Sequence, residues 1–133
     1  MKLRRAIGLL FLASLLPGGV AASRVEYLAQ NQLICDEYNE FCLAGTLSFQ
    51  PNPRLIRLRG RVRRAPGPGL LRITLIGYTR QGFRRLSPLE VRVRGNVTEI
   101  INHKMVPDFP EAESWSVQFV EFIADPDGAA PRR

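Results

Sequence analysis

Lysine, histidine, cysteine and tryptophan are all scarce in this 133-residue chain, which has one His, two Cys, one Trp and, as lysines, only Lys2 and Lys104. So few imidazoles and thiols exclude a conventional zinc or iron–sulfur ligand set. No apolar run approaches the ~20 residues that a membrane-spanning helix needs. A Gly-x-Ser-x-Gly nucleophile elbow is missing, and so is any internal repeat. What remains is an ordinary hydrophobic content of 45%, which excludes disorder along the whole chain, and a length that suits one domain.

Residues 1–22 read as a secretory signal peptide. Lys2, Arg4 and Arg5 precede an apolar stretch from Ala6 to Leu16, and Pro17-Gly18-Gly19 breaks it. Val20-Ala21-Ala22 then offers the small residues that signal peptidase requires before Ser23. As a helix the stretch rises about 16 Å, well short of the ~30 Å hydrocarbon core, so it does not read as a span. Export to the periplasm or the extracellular space is the expectation, with no membrane span after cleavage. Loss of those three bases takes the formal net charge from +7 to +4.

In an oxidising compartment the pair Cys35 and Cys42 reads as a disulfide. Residues seven apart on a helix lie about 10 Å apart along its axis, too far for a bridge. A bridge therefore demands a hairpin or compact loop across the polar segment Asp36 to Phe41. The spacing is also wrong for a redox motif, which separates its cysteines by two residues.

Beyond the cysteines the chain shows short runs of Leu, Ile, Val and Phe punctuated by Gly and Pro, a β pattern. Expected strands are Leu43 to Gln50, Arg54 to Arg64, Leu70 to Thr79, Phe83 to Leu86, Leu89 to Arg94, Val97 to Asn102 and Ser114 to Ala124. A short strand near Leu33 to Cys35 is preceded by a short helix or irregular lead-in from Arg24 to Asn31. Pro88 marks an edge, bulge or break, and Gly95-Asn96 suits a two-residue hairpin turn. The fold class is all-β, a small antiparallel β-sandwich of about seven strands, with a small β-barrel as the alternative. One β domain is expected over 23–124 and a flexible tail over 125–133. This layout resembles immunoglobulin-type sandwich modules of cell envelopes. Trp115 follows both cysteines, however, so the Cys…Trp…Cys order of a true immunoglobulin domain is not met.

Alternation assigns burial. Ile56, Leu58 and Val62 share one side of their strand, with Arg57, Arg59, Arg61 and Arg63 on the other. Leu70 to Tyr78 is apolar on both parities, as a central strand is. Strict alternation in the last strand puts Trp115, Val117 and Phe119 on one side and Val120 and Phe122 on the other.

Between Arg54 and Arg94 every charge is an arginine except Glu90. Arginines two apart on a strand stand about 7 Å apart, and their planar forks bond phosphate, sulfate or carboxylate bidentately. Arg57, Arg59, Arg61 and Arg63 therefore form a candidate anion-binding ladder, extended by Arg72, Arg92 and Arg94 if their strands are neighbours and in phase. The competing reading is a solvated sheet face, since two such cations in water repel by only about 0.6 kcal/mol. In that case Glu99, Glu111, Glu113 and Glu121 pair with the arginines across strands.

No catalytic constellation stands out. His103 is the lone imidazole, with Asp108 and Glu111 near it in sequence. Asn96-Val97-Thr98 fits a glycosylation sequon. No cofactor and no metal site are expected. The leading expectation is a non-enzymatic exported binding protein, an envelope accessory factor, chaperone-like protein or inhibitor, acting on another envelope or secreted protein through strand edges or an exposed apolar face. The second is a module for an anionic polymer such as acidic polysaccharide or lipopolysaccharide. The third is a small enzyme using His103. Nucleic acid is disfavoured, because export removes it and no aromatics interleave the arginines.

Overall fold

The computed structural model describes residues 24–126, which form seven strands and no helix. The expected leader and most of the expected tail lie outside the described residues. The strands are β1 (Glu26–Cys35), β2 (Cys42–Pro51), β3 (Arg54–Arg64), β4 (Gly69–Tyr78), β5 (Arg84–Val93), β6 (Ile100–Met105) and β7 (Ser114–Ala124). They make two antiparallel sheets, one ordered β1-β2-β3-β6 and the other β5-β4-β7. The sequence-based expectation of a small all-β, sandwich-like fold holds.

The sheets face each other across one core. Leu43, Leu47, Phe49, Ile56, Leu58 and Val62 enter it from the first sheet; Leu71, Ile73, Leu75, Leu89, Val91 and Val93 enter it from the second. These are the inward parities of β2, β3, β4 and β5. Burying that surface is what holds the sheets together, at ~25 cal/mol per Å² of apolar area. β4 is the central strand of its sheet, as its apolar character on both parities implies.

Cys35 and Cys42 are cross-strand partners at the closed end of the β1–β2 hairpin and are disulfide-bonded, with Cα atoms 4.1 Å apart. The intervening turn is held by the Asp36 carboxylate, which accepts the Phe41 backbone N–H at 2.9 Å. Of the hairpin and the compact loop that the cysteine spacing allowed, the chain forms the hairpin.

Three local expectations are corrected. Arg24 to Asn31 is neither helix nor irregular lead-in, because β1 begins at Glu26. Its pairing with β2 slips between Tyr27 and Ala29 and again between Ala29 and Gln32, and Asn31 takes a positive φ of 47°. Two such irregularities erase the period-2 alternation by which a strand is recognised. Ser87-Pro88 does not divide its segment: β5 runs through it, and Pro88 sits on an edge strand, where a missing N–H is tolerated.

The third correction concerns Gly95-Asn96. Gly95 does take a positive φ of 93°, but the segment 94–99 crosses to the other sheet and does not close a hairpin. Asn96 Oδ1 accepts from the Thr98 backbone N–H and hydroxyl at 2.9 and 2.7 Å. β6 consequently starts at Ile100, three residues later than the expected Val97.

Candidate functional site

The arginines divide between two surfaces. On β3 the inward residues Ile56, Leu58 and Val62 leave Arg57, Arg59 and Arg61 on the outer face of the four-stranded sheet. The exposed Arg63 is the extra residue between the Leu43–Val62 and Cys42–Arg64 pairs and does not line the recess on that face. Arg72 on β4 and Arg92 on β5 belong to the outer face of the three-stranded sheet, and Arg94 follows the end of β5. The extended ladder is therefore not assembled, because β4 and β5 are not neighbours of β3.

Their electrostatics differ as well. Arg72 Nε donates to Glu90 at 2.7 Å and its Nη1 donates to Glu121 at 3.0 Å, so one guanidinium ties β4 to both flanking strands. These two carboxylates raise the Arg72 pKa above its ordinary value, Glu90 foremost. Arg92 pairs with Asp125 at 2.6 Å and Arg80 with Glu113 at 3.4 Å. Glu99 accepts the backbone N–H of Arg94 at 3.0 Å. By contrast, Arg57, Arg59, Arg61 and Arg63 make no ion pair among the described residues. The acids expected to neutralise the ladder are spent on the other sheet or in loops.

Around the unpaired arginines the outer face forms an open recess of about 720 Å³. Register explains its contents. Arg57 lies between Ser48 on β2 and Lys104 on β6, Arg59 between Thr46 and Asn102, and Arg61 between Ala44 and Ile100. Short side chains on β2 make a low floor beside a row of long cations, and exposed Tyr27 stands on the β1 side. The Nε–H of Arg57 is shielded from solvent and has no hydrogen-bond partner among the described residues. Sequence reasoning found the arginines but missed Tyr27, Thr46, Ser48 and Asn102. The alternation of small and polar residues along β2 was a usable sign for two of them.

A second surface lies along β7, whose one side pairs with β4 and whose other side is a sheet edge. Its register slips between the Thr74–Phe119 and Leu75–Val117 pairs, leaving Gln118 as a bulge. The bulge overturns the strict alternation expected for this strand. Phe119 turns outward beside Glu121 and Ile123, while Val120 and Phe122 join Trp115 and Val117 on the inner side. Phe122 then stacks on Phe41 with ring centroids 4.9 Å apart. Phe119 and Ile123 remain 41% and 42% exposed. Between this edge and the disulfide-closed turn lies a recess of about 250 Å³ lined by Asp36, Glu37, Tyr38, Phe119, Glu121, Phe122 and Ile123. Phe119, Phe122 and Ile123 form its apolar side, and its charges are all acidic. Among them, the Tyr38 hydroxyl has a raised pKa, chiefly through its hydrogen bond with Glu37.

His103 lies on the inward parity of β6, opposite Leu58, and is half-buried. No hydrogen bond joins it to Asp108 or Glu111 among the described residues, and Asp108 accepts the Ser87 hydroxyl at 3.0 Å instead. No group of three or more His, Cys, Asp or Glu side chains among the described residues is placed to hold a metal ion. Compared with known proteins, the chain matches no family model, no curated protein and no solved structure.

Proposed function

We propose that this is an exported, immunoglobulin-like binding protein that captures an extended segment of another envelope or secreted protein along the free edge of β7. The leader-like residues 1–22 and the Cys35–Cys42 disulfide support export. Pairing of β3 with β6 in one sheet and β4 with β7 in the other follows the B–E and C–F pairings of immunoglobulin-like sandwiches. In that correspondence β7 occupies the F position, and no described strand fills the G position beside it.

The observation that carries the proposal is the character of that edge. Sheet edges are ordinarily guarded by proline, lysine, arginine, short length or bulges. β5 carries Pro88 and three arginines, β6 spans only six residues and contains Lys104, and β1 is interrupted by two register shifts. β7 runs eleven residues with a single bulge, no proline and no base; β1 meets its start, where the Glu26 carboxylate takes the Trp115 backbone N–H, and beyond that Phe119 and Ile123 are exposed. An added strand gains about 1 kcal/mol net per ladder hydrogen bond and loses about 1–2 kcal/mol per residue on ordering. Affinity must therefore come from side chains, which the apolar recess beside Phe119 supplies. Glu37, which neither holds the turn as Asp36 does nor pairs with Arg72 as Glu121 does, favours a segment with alternating apolar residues and a nearby lysine or arginine.

Selection of displayed random peptides on the wild-type protein and on Phe119→Lys/Ile123→Lys tests this. Enrichment of alternating apolar, basic peptides on the wild type alone is expected. Peptides that bind both proteins equally, or a failure to enrich any, would overturn the proposal.

A further inference from the structure

We infer that the recess on the outer face of the four-stranded sheet is a second binding site, for an acidic sugar chain bearing carboxylate or sulfate groups. It is independent of the β7 edge in its residues and in its charge.

The first support is charge that nothing in the fold uses. Arg72, Arg80 and Arg92 are each joined to a carboxylate, whereas Arg57, Arg59 and Arg61 are not, and no acidic residue lines the recess. Three guanidinium groups about 7 Å apart in one row present repeated bidentate donors to a chain of regularly spaced anions. A row held on a paired strand has its backbone already ordered, so binding costs side-chain freedom alone.

The second support decides among polyanions. The recess lies on a sheet face, where backbone N–H and C=O groups are already paired with neighbouring strands. An acidic peptide would find no ladder there, so its backbone would add nothing to the contact. Sugar hydroxyls need only side-chain partners, which Ser48 and Asn102 provide beside the arginines, the Thr46 hydroxyl being bonded to Asn31. A nucleic acid strand asks for successive aromatic platforms, but Tyr27 is the one aromatic residue lining the recess. A single ring matches the apolar face of one sugar.

The test is calorimetric titration of the purified protein with a heparin-derived hexasaccharide, a galacturonate hexamer, a neutral dextran oligomer and an oligoglutamate peptide. Binding of either acidic saccharide, with none of the dextran, is expected; the two separate sulfate from carboxylate recognition. Arg59→Ala/Arg61→Ala should weaken it by about tenfold or more and lower the slope of log K against log salt by about two. Arg84→Ala/Arg94→Ala, with the same loss of charge on the other sheet, should change neither beyond a small screening effect. Phe119→Lys/Ile123→Lys should leave saccharide binding intact, so failure here is distinguishable from failure at β7. Equal weakening by the two arginine pairs, tighter binding of oligoglutamate, or no binding of either acidic saccharide at low salt would each reject the inference.

Discussion

Trp115 shows how much one residue depends on its neighbour across a strand. Its indole is buried against Phe49 and Phe109, with ring centroids 6.3 and 6.4 Å away. It fits because its cross-strand partner is Gly77: a Cβ there would lie 2.8 Å from the indole ring. Gly77→Val should cost about 1–3 kcal/mol, read by urea denaturation, with a red shift of the single tryptophan's emission. An unchanged midpoint would mean that the ring is free to move aside. A second residue, Glu26, makes a pH statement. Burial pushes its carboxyl above the usual carboxylate range, partly offset by the backbone N–H of Trp115. The folded protein then holds that proton more tightly than the unfolded chain does. Glu26 therefore favours folding at low pH, and that contribution is lost as pH rises from the ordinary value of 4.5 through the folded value. Glu26→Gln should gain stability relative to wild type between pH 4 and pH 7; parallel pH–stability curves would contradict the assignment.

At the scale of elements, the β1–β2 hairpin and β7 are the informative pieces. Closing the loop between Cys35 and Cys42 stabilises the fold by about 2.5 kcal/mol in the chain-entropy model. Cys35→Ser/Cys42→Ser should lower the unfolding free energy by that order, and a reductant should then have no further effect on the variant. In β7, the bulge at Gln118 determines which aromatic is buried. Deleting Gln118 leaves Val120 and Phe122 inward and should be tolerated. Phe122→Glu instead puts a carboxylate against Phe41 in the core, so the melting transition should collapse. Equal melting temperatures for the two variants would show that this register is wrong. The inward set on β2 to β5 was legible because those strands alternate without interruption apart from the register shift where Cys42 meets Arg64 at the end of β3. β1 and β7 were not fully legible, because a bulge changes parity without leaving a residue-type signature.

For the whole molecule, the two sheets share one core cluster, and segments 65–68, 94–99 and 106–113 carry the chain between them. Arg54, stacked over Phe49 and donating to the Ala112 carbonyl, fastens the last of these to β3. Neither sheet can keep its apolar face dry alone, so unfolding should be one cooperative event. Trp115 fluorescence, which reports the second sheet, and far-UV circular dichroism should give one midpoint in urea. Separate midpoints would mean that the sheets unfold independently.

Some of this was determined by local chemistry alone. Alternation on β3 separates Ile56, Leu58 and Val62 from its arginines in any sheet that buries one face, and the cysteine spacing admits a bridge only across a hairpin or compact loop. The sequence could not say which strands share a sheet, because that depends on pairings between residues far apart in the chain. β3 pairs with β6, while β4 and β5 lie in the other sheet. Tertiary structure therefore divided one arginine-rich segment into a paired set, neutralised by Glu90, Glu121 and Asp125, and an unpaired set facing a recess. It also turned Phe119 out to a free edge. Both results follow from long-range register, and composition carries no record of register.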